Sequence, residues 1–316
     1  MHIIIVTPSS RGSHSGNQIT TLRWSKILRQ LGGRVTVQQK YDGRKCDLLI
    51  ALHARRSFAS LRRYHDNYPD RPAILALTGT DLYQDLQRHP RVLPALEWAS
   101  RLVVLQQDAV RHVPRQLQPK TRVIYQSARK PAGRNAPLKH VFQVCVVGHL
   151  RAVKDPFRTA LAARRLPATS QIHIDHLGAA LTPAMERRAL AETANSTRYR
   201  WHGDVPPGQA MRRLARSRLL VVSSKLEGGA NVVSEAIAAQ VPVLSTRISG
   251  TIGLLGPDYP GYFEVGNTED LARQLERAES DRRFYTSLQA ACRQRAPLVD
   301  PRREVESWRE LLAELL

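Results

Sequence analysis

Residues 219–246, LLVVSSKLEGGANVVSEAIAAQVPVLST, constrain the fold of this chain more than any other stretch. The apolar run 219–224 reads as a strand and 241–245 as a second one. Between them lie a turn with Glu227, Gly228 and Gly229 and a helix expected over residues 230–240. That is one βαβ unit. The two glycines permit a sharp turn at the head of the helix, so that unpaired N–H groups and the positive end of the helix dipole face a common point suited to a phosphate. Val232, Val233, Ala236 and Ile237 recur at helical spacing as the inward face, and Asn231 and Glu235 share the other face. A carboxylate is a poor neighbour for phosphate but a good bidentate acceptor for two adjacent hydroxyls. The spacing therefore suits a ligand with phosphates in its middle and hydroxyl pairs at both ends. Taken alone, two glutamates at this spacing are equally well explained as a turn cap and a solvated helix residue.

A nucleotide sugar has the shape just described. Glu227 and Glu235, set in EGGANVVSEAIAAQVPVL, resemble the signature of the family 4 glycosyltransferases. The resemblance implies an α/β chain of GT-B fold, two Rossmann-like doubly wound domains facing a central cleft, acting on nucleotide-diphosphate sugars. It implies that Glu227 lies beside the donor sugar and that Glu235 holds the ribose hydroxyls. The backbone from Gly228 through Gly229, Ala230 and Asn231 to Val232 would then bind diphosphate or sugar.

From the amino end, HIIIVTP reads as a buried strand, followed by a polar loop framed by Gly12 and Gly16 and a helix over residues 20–31 with Leu22, Ile27, Leu28 and Leu31 inward. In the family this loop borders the acceptor, and Arg11, His14, Asn17 and Gln18 are the side chains that could reach it; a plain polar connection fits the residues as well. The strand DLLIAL ends in His53, Ala54, Arg55 and Arg56, a cationic cluster at the carboxyl end of a strand, where open α/β sheets place ligands. The next strand, 73–77, ends in Thr78, Gly79, Thr80 and Asp81. Asp81 reads as the one acid on that rim and as a helix cap. Strands at 101–105 and 122–125 complete a first sheet.

Residues 127–139, rich in Pro, Gly and basic side chains, read as a linker. The expected organisation is therefore an acceptor domain over 1–138, a nucleotide-sugar domain over 139–300, and a terminal helix over 301–316 that packs back towards the first domain. Beyond the linker, VFQVCVVGHLRAVKD resembles the family's Gly-Arg-Leu segment with a following lysine, where an Arg and a Lys neutralise the departing diphosphate. Lys154 fits. His149 stands at the Arg position, so either Arg151 supplies the second charge or His149 binds phosphate itself. Gly203 to Val205 in number order, GDV, resembles the turn beside the nucleobase, and Gly250, Thr251 and Ile252 form a further loop whose amides could touch the donor.

The formal charge of +21 comes from 40 Arg and 8 Lys scattered along the chain against 27 acids, which reads as a solvated basic surface rather than a nucleic-acid stripe. No zinc-finger spacing, basic heptad region or aromatic-rich RNA-binding strand is present, so no nucleic-acid partner is expected. No apolar run is long enough for a membrane span and MHIIIVTPSS reads as a strand rather than a leader, which sets the expectation of a cytoplasmic protein without stable membrane association. Cys46, Cys145 and Cys292 fit no metal spacing, and Cys145 reads as a buried thiol; the resemblance to GT-B enzymes implies a site that needs no divalent metal or other cofactor.

Two N-terminal stretches, MHIIIVTPSSRGSHSGNQITTLRW and ALTGTDLYQDL, are similar to the selenosugar synthase branch of the family, and the similarity runs the full length. This implies carbon–selenium bond formation between a UDP-sugar, typically UDP-N-acetylglucosamine, and selenophosphate, as in selenoneine biosynthesis. An anionic acceptor needs cations rather than a general base, and Arg11, Gly12, His14, Gly16, Asn17, Arg55, Arg56 and Thr80 form the expected acceptor site. A hydroxyl acceptor such as a membrane glycolipid is the alternative.

Overall fold

The computed structural model describes residues 1–10, 12, 15–130, 136–137 and 140–316. The chain divides into two units, Met1–Gln126 with Pro301–Leu316, and Ser127–Asp300. The first unit thus ends at Gln126 rather than at residue 138. The start of the expected linker belongs to the second unit, where the Ala128 amide donates to the Val299 carbonyl at 3.1 Å.

In the first unit β1 (His2–Val6), β2 (Arg34–Gln38), β3 (Leu48–Leu52), β4 (Ala73–Leu77), β5 (Arg101–Val104) and β6 (Thr121–Val123) form a parallel sheet in the order β2-β1-β3-β4-β5-β6. Every residue of LLIAL and AILAL is buried, because helices cover both faces of such a sheet. Alternation along the strands sorts the core into two clusters. Ile4, Val6, Leu49 and Leu75 belong to one, and Ile3, Ile5, Leu48, Ile50 and Ile74 to the other.

The helix after β1 is Gly16–Gln30, starting four positions earlier than the expected residue 20, because Ser15 caps it and accepts the Gln18 amide at 3.4 Å. Gly16 and Asn17 therefore sit in its first turn and not in the preceding loop. Its inward stripe is Thr20, Thr21, Trp24, Ile27 and Leu28, and Leu22 turns outward with 60% exposure, contrary to the expected inward position. Trp24 meets the terminal helix Pro301–Ala313, on which Trp308 lies edge-on at 4.9 Å. Between them the buried Glu304 carboxylate accepts from the Trp24 indole N–H at 2.9 Å and from Arg23 Nε at 3.1 Å. After β5 the chain forms two 3₁₀ turns, Gln107–His112 and Arg115–Lys120.

In the second unit β7 (Phe142–Val147), β8 (Ile172–Leu177), β9 (Tyr199–Trp201), β10 (Leu219–Val222), β11 (Val243–Thr246) and β12 (Tyr262–Phe263) form a parallel sheet ordered β12-β11-β10-β7-β8-β9. The chain winds outward one way from β7 to β9, then returns to the centre and winds the other way from β10. The crossing point lies between the carboxyl ends of β7 and β10, and in the first unit between those of β1 and β3. Open α/β sheets hold ligands at such points. Cys145 is fully buried in β7, which pushes its thiol well up and leaves it inert. Among the described residues no helix is long and apolar enough to cross a membrane.

His176, on β8, is buried to 1% exposure, with Nδ1 2.7 Å from the Tyr199 hydroxyl and Nε2 3.2 Å from the Gly148 carbonyl. A carbonyl can only accept, so Nε2 carries the proton and Nδ1 accepts from Tyr199. Burial pushes this imidazole down from 6.5 to about 4.

Two outcomes follow for stability. Replacing Glu304 with Ala strands the Trp24 N–H and removes a partner of Arg23, and should cost about 2–4 kcal/mol in urea unfolding, with Glu304→Gln costing less; a loss under about 0.5 kcal/mol for the alanine variant contradicts the anchor. For His176, the unfolded chain binds a proton between pH 6.5 and 4 that the folded chain excludes. Stability present above pH 6.5 is therefore lost as pH falls towards 4, by about 3 kcal/mol in all. His176→Gln should flatten the unfolding free energy across that window, and an unchanged slope contradicts a buried neutral His176.

Candidate active site

The turn after β10 is built around one buried carboxylate. Glu227, 8% exposed, accepts at Oε1 from Lys154 Nζ at 2.5 Å and from the Ser224 hydroxyl at 2.6 Å. An ionised carboxylate at this depth is tolerable only with such partners, and the lysine and hydroxyl supply charge and hydrogen bond together. Lys154 ends a short 3₁₀ turn, Ala152–Lys154, beyond β7. The Ser223 hydroxyl holds that turn by donating to the Lys154 and Asp155 carbonyls at 3.1 and 3.0 Å, and the Lys225 amide donates to the Val153 carbonyl at 2.8 Å. The loops after β7 and β10 are thereby stitched across the crossing point.

The loop after β11 joins them. The Thr246 hydroxyl donates to the Ser224 carbonyl at 2.5 Å, and a Cβ at Gly250 would lie 2.2 Å from the Glu227 carbonyl oxygen, so only glycine fits there. Gly250 and Thr251 begin a helix, Ser249–Leu255, rather than a loop. The Thr251 and Ile252 amides both donate to the Ile248 carbonyl, at 3.0 and 2.9 Å, and the buried Thr251 hydroxyl donates to the Thr246 carbonyl at 2.7 Å. Those groups hold Gly250 against the Glu227 turn; their own donors are committed inside the protein, against the expectation that they reach a ligand.

The helix of the signature unit is Asn231–Ala239. The left-handed residue at its head is Ala230, with φ 26°, one position after the two glycines expected to make the turn. A non-glycine held there stores strain of the kind found at functional turns. The amides of Asn231 and Val232 have no carbonyl one turn earlier within the helix, so they and the dipole face the Glu227 turn. Glu235 lies one turn in, half-buried, on the same side as Asn231.

Beside Lys154 the loops after β7, β8 and β9 form a second row. The Gly148 amide donates to the Leu177 carbonyl at 2.8 Å, the Leu150 amide to the Ala179 carbonyl at 2.8 Å, and the Gly178 amide to the Gly203 carbonyl at 2.8 Å. Gly178, with φ 149°, packs so closely that a Cβ would lie 2.1 Å from the Gly148 carbonyl oxygen. Gly203 adopts φ 70° in the turn after β9. His202, just before it, is held by Asp175, whose Oδ1 lies 2.6 Å from His202 Nε2 and whose Oδ2 lies 3.3 Å from Arg213 Nη1. His149 sits in this row, half-buried, and its Nδ1 accepts the Ala179 amide at 3.0 Å. Arg151 is exposed.

In the first unit the loop after β3 carries the other expected cluster. His53, 4% exposed, adopts a left-handed φ of 72°, and its Nε2 lies 3.1 Å from the Thr80 hydroxyl and 3.8 Å from Asp85 Oδ2. Arg55 Nη1 donates to Asp85 Oδ1 at 2.9 Å while its side chain stays half exposed, and Arg56 is exposed. Asp81 is not the one acid on this rim, because a π-helical turn, Asp81–Asp85, swings Asp85 onto it as well. Nor does Asp81 cap its own helix. Its buried carboxylate accepts the amides of Ala54 at 3.0 Å, Thr78 at 3.0 Å and Gly79 at 2.7 Å, locking the loops after β3 and β4 together. Gly12 is exposed with φ 79°. Arg11 and His14 lie outside the described residues.

The structure thus gathers Lys154, Glu227, Gly228 to Val232 in number order, and Gly250 at one crossing point, with His149 and Gly203 along the adjoining loops. It adds residues the sequence reading missed. Ser223 and Ser224 were signalled by a hydroxyl pair closing an apolar strand, whereas Thr246, His176, His53 and Asp85 carry no local signal. Among the described residues no group of three or more His, Cys, Asp or Glu is placed to hold a metal ion.

Comparisons with known proteins bear on the family and the fold. The family model for glycosyl transferases group 1 matches residues 133–298, more than half of the chain. Among solved structures, HepE of Anabaena in complex with UDP and glucose is similar with a TM-score of 0.77 and 16% identity over 100% of both chains. Sucrose-phosphate synthase from Thermosynechococcus elongatus gives a TM-score of 0.78 and 15% identity over 99% of this chain and 98% of its own. A structure described as trehalose-6-phosphate from E. coli bound with UDP-2-fluoro glucose gives 0.75 and 12% over 100% of both. No curated protein matches. At these identities the structural likeness is one of fold, which is the two-domain α/β fold called GT-B. With a lysine paired to a buried carboxylate at the crossing point of its second sheet and the family match spanning that sheet, the chain belongs to the glycosyl transferases group 1.

Proposed function

We propose that the protein forms a carbon–selenium bond by transferring the sugar of a UDP-sugar, with UDP-N-acetylglucosamine the expected donor, to selenophosphate. The observation that carries the donor half is the Lys154–Glu227 pair beside the head of the helix Asn231–Ala239. Lys154, the amides from Gly228 to Val232 in number order, and His149 would stabilise the diphosphate as negative charge develops on it. Glu227 would accept from hydroxyls of the donor sugar, Glu235 from those of the ribose, and Gly203 would border the base. Support for UDP as carrier comes from the neighbours, since HepE was solved with UDP and with UDP-glucose.

The acceptor half rests on the N-terminal stretches that resemble selenosugar synthases and on the cations after β3. Arg55 and Arg56, with Thr80, Gly12 and the first-turn residues Gly16 and Asn17, would hold a small multiply charged anion. Its selenium is already nucleophilic, so attack needs no base. A selenium lone pair forms the bond to the anomeric carbon while the carbon–oxygen bond breaks and its electron pair leaves with UDP. Water then cleaves the selenium–phosphorus bond, giving phosphate and the selenol. The reaction is carried by positioning and charge, and no metal or other cofactor is assigned to it.

The test is product analysis by mass spectrometry with UDP-N-acetylglucosamine and selenophosphate. UDP release that depends on selenophosphate, with a selenosugar product, is the expected result; release with alcohol or lipid acceptors and none with selenophosphate overturns the reading. Lys154→Ala and Glu227→Gln should each lower kcat/KM by about 10²–10³-fold with unchanged circular dichroism. Arg55→Ala should raise KM for selenophosphate about tenfold and leave KM for the UDP-sugar in place; the opposite split removes Arg55 from the acceptor site.

A further inference from the structure

His149 stands where the family places an arginine, and the way it is held decides what it can offer. Its Nδ1 accepts the Ala179 amide at 3.0 Å, and a nitrogen that accepts an N–H carries no proton itself. The neutral ring therefore keeps its proton on Nε2. Charging the ring would put a proton on Nδ1 and break the bond to Ala179. His149 thus offers an N–H donor at Nε2, weaker towards phosphate than a guanidinium but fixed in direction.

That direction depends on the Gly148–His149 peptide, which is fixed from the other side. The Gly148 amide is bonded to Leu177 and its carbonyl accepts Nε2–H of His176 at 3.2 Å, and Gly178 presses against that same carbonyl. His176 has no freedom of tautomer, because Tyr199 donates to its Nδ1 from 2.7 Å. It is fully buried, so it acts through the peptide it holds. An apolar replacement would leave the Gly148 carbonyl without this donor inside a low-dielectric site.

We infer that His176 is a positioning residue for the nucleotide diphosphate: its Nε2–H locks the Gly148 carbonyl and so aims the Nε2–H of His149. This rests on the donor site proposed above. It makes the two histidines a coupled pair in which a buried ring sets the aim of a half-buried one, and it explains why a histidine can occupy the place of a cation. The burial that pushes His176 down to about 4 keeps that ring neutral across the neutral range.

Two measurements on the intact chain test it. Long-range 1H–15N spectra of the wild-type protein should show both His149 and His176 as the Nε2–H tautomer; an Nδ1–H tautomer at either ring overturns the inference without any variant. Calorimetric titration with UDP should show about tenfold weaker binding in His176→Phe, wild-type-like binding in His176→Gln, whose amide N–H replaces the ring donor, and little further loss when His176→Phe is added to His149→Ala. Full affinity in a folded His176→Phe protein, or an undiminished loss in the His149→Ala background, overturns it. Absence of UDP binding by the wild type instead overturns the donor site and this inference together, which separates the two failures.

Discussion

A carboxylate 8% exposed must be neutralised where it stands, and at Glu227 that requirement shapes the whole second unit. Its lysine comes from the loop after β7 and its hydroxyl from the end of β10, so β7 and β10 have to be adjacent and parallel. Adjacency of two strands far apart in sequence demands that the chain wind outward to β9 and return. The sheet order that results leaves a gap between diverging loops, and the helix Asn231–Ala239 points its amino end into it. The glycine at position 250 is required by the same turn, because the start of the helix Ser249–Leu255 presses against the Glu227 backbone.

The Lys154–Glu227 contact also has a chemical meaning. Lys154 is paired with Glu227, so on the proposed reading a diphosphate would compete with the carboxylate for its charge, and donor hydroxyls would compete with the lysine for the carboxylate. A ligand that brings phosphate and hydroxyls together satisfies both at once, whereas inorganic phosphate offers only half of the exchange. On that reading the pair would favour a nucleotide sugar over its fragments. In the first unit Arg55 and Asp85 stand in a comparable relation, with the cation half exposed and its partner largely covered.

Much of this was legible in the sequence, for identifiable reasons. Buried parallel strands announce themselves as apolar runs such as LLIAL, and the signature unit carries its turn, helix and two glutamates in one short stretch. What stayed hidden depends on distance or on backbone detail. Lys154 and Glu227 are 73 positions apart, and nothing local tells that they touch. The helix after β1 was placed too late because its cap is a serine in a run of polar residues, and that error turned Leu22 inward and put Gly16 and Asn17 in a loop. Asp85 reached the rim through a π-helical turn, which shifts the helical phase that periodicity assumes. Ala230, not either glycine, took the left-handed conformation because the surrounding hydrogen bonds outweigh its preference.

The most direct measurement of the central claim, that the crossing point of the second sheet is where the nucleotide diphosphate sits, is amide hydrogen exchange of the whole chain with and without saturating UDP. Protection gained in residues 228–233 and 148–150 is the expected result, since those amides and the loops holding them would close over the diphosphate. UDP binding that leaves both stretches exchanging at their original rates contradicts the account.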